Sequence, residues 1–165
     1  MKTNLVVSLL FLAATMLYTS CDEVNEDLLK DLAEGKMIVV INNGESEILQ
    51  QCTWFNYGDN LAGEVFINGV KDLTTTTPNL NIMYGSWSNA VQLAVKTYNT
   101  GVEADKMHVN SSYGFSDTDA PVVVEITEIT ATAIKGKFSG KLKLEAGGTV
   151  DIKGAFYAKK GEQPM

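Results

Sequence analysis

The stretch that decides the fold begins Ile134-Lys135-Gly136-Lys137-Phe138-Ser139-Gly140-Lys141-Leu142-Lys143-Leu144. It continues through Glu145-Ala146-Gly147-Gly148-Thr149 to Val150-Asp151-Ile152-Lys153-Gly154-Ala155-Phe156. Apolar or small residues alternate with polar and charged ones on both sides of a glycine pair. Successive side chains of a β-strand point to opposite faces, so this pattern predicts two half-buried strands joined as a hairpin. Parity then constrains the loop. A two-residue Gly147-Gly148 turn would oppose Leu144 to Asp151 and mix apolar and charged side chains on one face. An odd loop avoids this. A three-residue Ala146-Gly147-Gly148 loop predicts Leu144 opposite Val150, Leu142 opposite Ile152 and Phe138 opposite Phe156. Lys143 then faces Asp151 on the wet side, and Gly140 meets Gly154, where both strands are expected to bend.

The same pattern extends upstream. Val122, Val124 and Ile126 alternate with Val123, Glu125 and Thr127, and the preceding turn is expected to set Val124 against Gly136 and Glu125 against Lys135. Further back, Met37–Ile41, Gln51–Tyr57, Gly63–Ile67, Leu80–Tyr84 and Lys106–Asn110 read as strands. Val91, Leu93 and Val95 alternate with polar or small neighbours and predict another. Asn68-Gly69 reads as a two-residue hairpin turn, with Val70–Leu73 returning from it. Thr74–Asn79, Gly85–Asn89, Asn99–Asp105 and Ser116–Pro121 are loops, and Pro78 cannot donate to a central sheet ladder. No helical period follows Gly35. The expectation is an all-β domain over 37–160, an antiparallel β-sandwich or small barrel. One short helix precedes it, from Asn25 to Gly35. Asn25 caps it, Leu28, Leu29 and Leu32 form its apolar stripe, and Gly35 stops it.

The N-terminal segment has a different character. Met1-Lys2-Thr3-Asn4 is basic, and Leu5–Leu17 is a nearly unbroken apolar run. That run is shorter than the about 20 residues of a spanning helix and has the length of a signal-peptide core. Tyr18-Thr19-Ser20-Cys21 follows. It resembles, in relaxed form, the lipobox of bacterial lipoproteins of the Bacteroidota type, in which the cysteine is acylated and the peptide is cut just before it. The resemblance implies a leader over 1–20, lipid attachment at Cys21, and anchoring in the bacterial outer membrane, facing the periplasm or the cell surface. Asp22-Glu23-Val24-Asn25-Glu26-Asp27 resembles the acidic export signals of surface-exposed lipoproteins of that group. It also reads as a plain solvated spacer, so 21–36 is expected to be an acidic tether with a short helix. The spacing from Ile126-Thr127 through Lys135-Gly136-Lys137-Phe138-Ser139-Gly140 to Ile152-Lys153-Gly154-Ala155-Phe156 resembles the closing strands of small sandwich or lipocalin-like lipoproteins. It implies a fold class and a compartment and carries over no functional residue.

Charge narrows the partners. The formal net charge is −7, and all 13 basic residues are lysine. Phosphate backbones need clustered cations and favour the bidentate guanidinium, so nucleic acid is not an expected partner. Cys52 has no intramolecular partner if Cys21 carries lipid, and its strand setting predicts a buried, inert thiol.

No catalytic motif is legible. His108 is the only histidine. Ser111, Ser112, Asp105 and Asp117 lie near it in sequence, yet nothing marks a nucleophile turn, and one His with one Cys does not make a zinc site. Asp117-x-Asp119 is a weak calcium candidate and equally the composition of a solvated turn. No cofactor is expected. Tyr84, Trp87 and Tyr98 are the candidate ligand contacts, set in or beside predicted loops. Trp54 reads as core. The expected function is an envelope-anchored binding or assembly module for a glycan, small ligand or partner protein. The alternatives are a lipocalin-like carrier with an apolar cavity, and a hydrolase whose acids converge only in three dimensions.

Overall fold

The computed structural model describes residues 30–57, 63–72, 74, 77–85, 92–102 and 107–162. Most of the expected helix and all of the leader, Cys21 included, lie outside them. The described end of that segment is not helical beyond Lys30. Residues 31–35 form turns, Leu32 is buried, and Gly35 has φ of +79° just before the first strand.

Among the described residues eleven strands follow: β1 Lys36–Ile41, β2 Ser46–Leu49, β3 Gln51–Asn56, β4 Val65–Val70, β5 Asn79–Tyr84, β6 Thr97–Asn99, β7 Met107–Ser111, β8 Gly114–Phe115, β9 Val122–Ile129, β10 Ala133–Lys143 and β11 Thr149–Lys160. They form one large mixed sheet, in the order β2-β1-β11-β3-β4-β5-β7-β8-β10-β9-β6, closed by a further β10–β11 pairing, as in an all-β sandwich or small barrel. It has two halves, a first sheet β2-β1-β11-β10-β9-β6 and a second sheet β3-β4-β5-β7-β8. The two join at two corners. The C-terminal end of β11 pairs with β3, in parallel, at Lys159↔Thr53 and Lys160↔Trp54. The C-terminal end of β10 pairs with β8 at Lys143↔Phe115. Because β10 and β11 are antiparallel, these corners are diagonally opposite, and the sandwich closes on itself as a flattened barrel.

The inner faces supply one core. Met37, Leu49, Tyr98, Val124, Ile134, Phe138, Leu142, Ile152 and Phe156 come from the first sheet; Cys52, Trp54, Val65, Ile67, Leu80, Ile82, Tyr84, Met107 and Val109 come from the second. Burying one such side chain contributes about 1.5–3 kcal/mol, so the alternation seen in the sequence is what drives these strands together. Gly69 shows how closely the layers meet. A Cβ there would come within 2.7 Å of Met37 Sδ and 3.0 Å of Leu49 Cδ1.

The β10–β11 hairpin keeps the expected parity but not the expected register. Leu142 lies opposite Val150, Phe138 opposite Gly154, and Gly136 opposite Phe156. The loop is odd but takes all of Leu144 to Gly148. Leu144 N–H donates to Gly148 O over 3.0 Å, and both glycines have positive φ. The reason for the shift lies in the core. Two phenylalanines directly opposite would compete for one space, whereas in the observed register each ring lies over a glycine. A Cβ on Gly136 would strike the Phe156 ring, and one on Gly154 the Phe138 ring and the Ile38 carbonyl. Gly140 therefore meets Ile152 rather than Gly154, and Asp151 takes Lys141 rather than Lys143. A bulge between Lys135 and Gly136 shifts the β9 pairing as well, so Glu125 faces Lys137 and Glu128 faces Lys135.

Two other expectations change, and one turn is new. Asn68-Gly69 does not turn: β4 runs straight through it, and Gly69 sits between Cys52 and Leu80 in the ladder. Residues 92–95 are not a strand; Leu93 is buried, Val95 is 58% exposed, and the pairing with β9 is made by β6 instead. β2 follows a tight turn in which Asn42 and Asn43 both take left-handed φ and Gly44 N–H donates to Ile41 O, a hairpin connection that the sequence reading passed over.

Candidate functional site

The residues singled out from sequence that fall among the described ones do not come together as a site. Tyr84 and Tyr98 are 3% and 0% exposed, with ring centroids 4.8 Å apart, and they pack the second sheet against the first. The Tyr98 hydroxyl is satisfied internally: it accepts from Ala94 N and donates to Ala94 O. A buried tyrosine with its hydroxyl partnered is core, so both are corrected from contact residues to packing residues. Trp87 lies outside the described residues, as does Asp105.

Asp117 and Asp119 enclose a lysine. Lys143 Nζ donates to Asp117 Oδ2 at 2.9 Å and reaches both Asp119 oxygens at 3.4 Å, while Asp117 Oδ1 accepts from Thr118 N–H at 2.7 Å. The Lys143 ammonium, and then the Thr118 amide, hold the Asp117 carboxyl below its usual range. A calcium ion would have to displace that ammonium. Among the described residues no group of three His, Cys, Asp or Glu could hold a metal ion. His108 is exposed on β7, next to Met83. Ser111 Oγ is committed to Gly114 O and Tyr113 N, and Ser112 Oγ to Asn79 N. Cys52 is fully buried, and burial pushes its thiol up, away from reactivity.

What the structure does bring together is the outer face of the second sheet. Two cross-strand rows lie there. The pairings Phe55↔Phe66, Phe66↔Met83 and Met83↔His108 make one row across β3, β4, β5 and β7. The pairings Thr53↔Asn68, Asn68↔Asn81, Asn81↔Asn110 and Asn110↔Phe115 make the other, two residues further along the strands. In the first row the Phe55 and Phe66 rings stack at 5.1 Å and 11°. Tyr57 stands nearly perpendicular to both, at 5.7 and 5.6 Å, and is 36% exposed. Half-exposed rings clustered on a solvent face form an apolar patch with polar surroundings.

The second row is unusual for a strand. Asparagine is depleted in β-structure, because its side chain competes for backbone hydrogen bonds, yet three stand abreast on adjacent strands. Among the described residues, no hydrogen bond engages the side-chain amides of Asn68, Asn81 or Asn110. Each offers two N–H donors and a carbonyl acceptor. The outward positions of β3, β4, β5 and β7 — Gln51, Thr53, Phe55, Phe66, Asn68, Val70, Asn79, Asn81, Met83, His108 and Asn110 — include no Lys, Asp or Glu.

Sequence reasoning missed this face for a definite reason. Taking Asn68-Gly69 as a turn cut β4 in half and hid the pairing of Phe66 with Phe55. The available signal was the alternation itself. Asn81 sits opposite in parity to Leu80 and Ile82, and Asn110 opposite to Met107 and Val109, which marks both as outward asparagines in well-buried strands. Compared with known proteins, the chain matches no family model, no curated protein and no solved structure.

Proposed function

We propose that this protein is a lipid-anchored binding module of the bacterial cell envelope, and that it recognises its ligand through the outer face of the second sheet. The observation that carries the reading is the pair of rows on that face: an aromatic cluster of Phe55, Tyr57 and Phe66 beside three asparagines whose amides make no hydrogen bond among the described residues. Neither row is needed to close the core, which is filled from the inner faces. The largest fully buried side chains include Tyr98, Phe138, Phe156 and Met37, so recognition belongs on the outside of the sandwich rather than between its sheets. The leader and Cys21 support the anchoring, and the acidic stretch 22–27 supports a spacer that holds the domain off the bilayer. An acyl chain gains about 0.8 kcal/mol per buried CH₂, and stable anchoring needs more than one chain.

Two experiments test this. Mass spectrometry of the mature N-terminus should find acylated Cys21; an unmodified terminus rejects the anchor. For the face, retention of the full chain on a native envelope preparation is compared between wild type, Phe66→Ala and Lys141→Ala. Retention lost only in Phe66→Ala supports the reading, and equal retention of all three rejects it.

A further inference from the structure

Resting on that reading of the face, we infer that its ligand is a linear, uncharged polysaccharide lying across the strands, with sugar rings on the aromatic row and hydroxyls on the asparagine row. Charge comes first. The face lacks Lys, Asp and Glu at every outward position of β3, β4, β5 and β7. Among the described residues, charges stand only at its margins: Lys159 opposite Thr53, Lys143 opposite Phe115, and Glu64, whose carbonyl accepts from Tyr57 N–H. A ligand centred on Asn68 and Asn81 therefore meets neither a cation nor a carboxylate. The rest of the molecule is not short of charge, since Lys135, Lys137 and Lys141 crowd the opposite outer face.

Hydrogen bonding separates a glycan from a protein partner. A flat protein surface laid on Asn68, Asn81 and Asn110 would bury three carboxamides, each costly unless its donors and acceptor are matched. Sugar hydroxyls match them readily. Each hydroxyl both donates and accepts, and a carboxamide presents both functions side by side. The aromatic row supplies the other half. The C–H face of a pyranose ring is weakly positive and apolar, and the π-face of an aromatic ring is negative.

Geometry favours an extended chain. Neighbouring strands lie about 4.8 Å apart, so a row crossing β3, β4, β5 and β7 is about 14 Å long, room for several sugar units in line. The two rows are parallel and two residues apart, about 6.8 Å, so one chain has rings on one flank and amides on the other. Tyr57 flanks the aromatic row beyond Phe55, and Phe115 follows Asn110 in the asparagine row at β8.

The test is affinity electrophoresis of the full chain in gels containing a neutral β-glucan, a neutral xylan, a neutral galactomannan, or polygalacturonate. The expected result is retardation in at least one neutral gel, undiminished in high salt because no ion pair is involved. Phe66→Ala and Asn81→Ala should each weaken it about tenfold or more, and Lys141→Ala should not; circular dichroism verifies that each variant is folded. Failure of every neutral glycan, or binding to polygalacturonate alone, overturns the inference. Retention on the native envelope that still depends on Phe66, but is abolished by protease treatment of the envelope, also overturns it while leaving the recognition face standing. If Phe66→Ala and Asn81→Ala change neither assay, both the inference and the reading beneath it fall.

Discussion

The two outer faces of the sandwich obey the same period-two rule and solve exposure to water in opposite ways. On the first sheet, charges point outward and satisfy one another across strands. Lys135 meets Glu128 at 2.9 Å, Lys137 meets Glu125 at 3.2 Å, Lys141 meets Asp151 at 2.7 Å, and Lys143 meets Asp117 at 2.9 Å. On the second sheet, the outward residues include rings and amides, and the asparagine amides make no hydrogen bond among the described residues. Paired charges opposite one another are an ordinary device for a solvated sheet. Asparagines in the middle of strands contribute nothing comparable and work against local propensity. A face that departs from local preference without a structural return is where function is expected. On the proposed reading, the difference separates a surface that stays in water from one that receives a ligand.

The largest effect should come from breaking the frame beneath both faces. Gly154→Val drives a branched side chain into the Ile38 carbonyl and the Phe138 ring. The chain should fail to fold, and proteolysis should show no resistant core. Phe138→Ala is milder and should cost about 3–5 kcal/mol in denaturant unfolding, because it empties the space over that glycine. Next comes the recognition face. Phe66→Ala should weaken ligand binding by about 2 kcal/mol, the range of an interface hot spot, with a far smaller change in stability. Asn81→Thr should weaken binding by about 1 kcal/mol while leaving the fold as stable or slightly more so, since threonine suits a strand better. Reversed magnitudes, with stability lost and binding kept, would make the asparagine row structural.

The smallest effect lies on the charged face. The Asp117 carboxyl is held below its usual range by Lys143, so the pair supports the fold above the ordinary carboxylate pKa and lets go as pH falls through the lowered value. A carboxyl NMR titration should place Asp117 below a typical aspartate, and Lys143→Met should raise its midpoint. Stability at neutral pH should barely respond, as is usual for exposed ion pairs. Ligand binding should not respond at all.

Much of the frame was legible because alternation is written locally. The strands from Val122 to Phe156 and their inward set follow from period two alone. Their register does not, because it turns on which ring fits over which glycine, and that depends on the far strand. The short strands β2, β6 and β8 carry too few residues to show a pattern of their own and are held by neighbours. Asn68-Gly69 misled because the same dipeptide suits a tight turn and, equally, a strand whose glycine must make room for Met37 and Leu49. Tyr84 and Tyr98 misled because a polar tip next to a loop resembles an exposed contact, although the tip of Tyr98 is bonded to Ala94. The proposed recognition face is spread over four strands, and only pairing assembles it.

The central claim is that the outer face of the second sheet, and not that of the first, takes the ligand. Side-chain amide NMR reads this directly, because Asn68, Asn81 and Asn110 each report with their own NH₂ pair. Titration with the neutral polysaccharide that retards the protein most should shift those three pairs together, along with the ring protons of Phe55 and Phe66, and leave Lys135, Lys137 and Lys141 unmoved. Shifts centred on the lysine face, with the asparagine amides unchanged, would contradict the account.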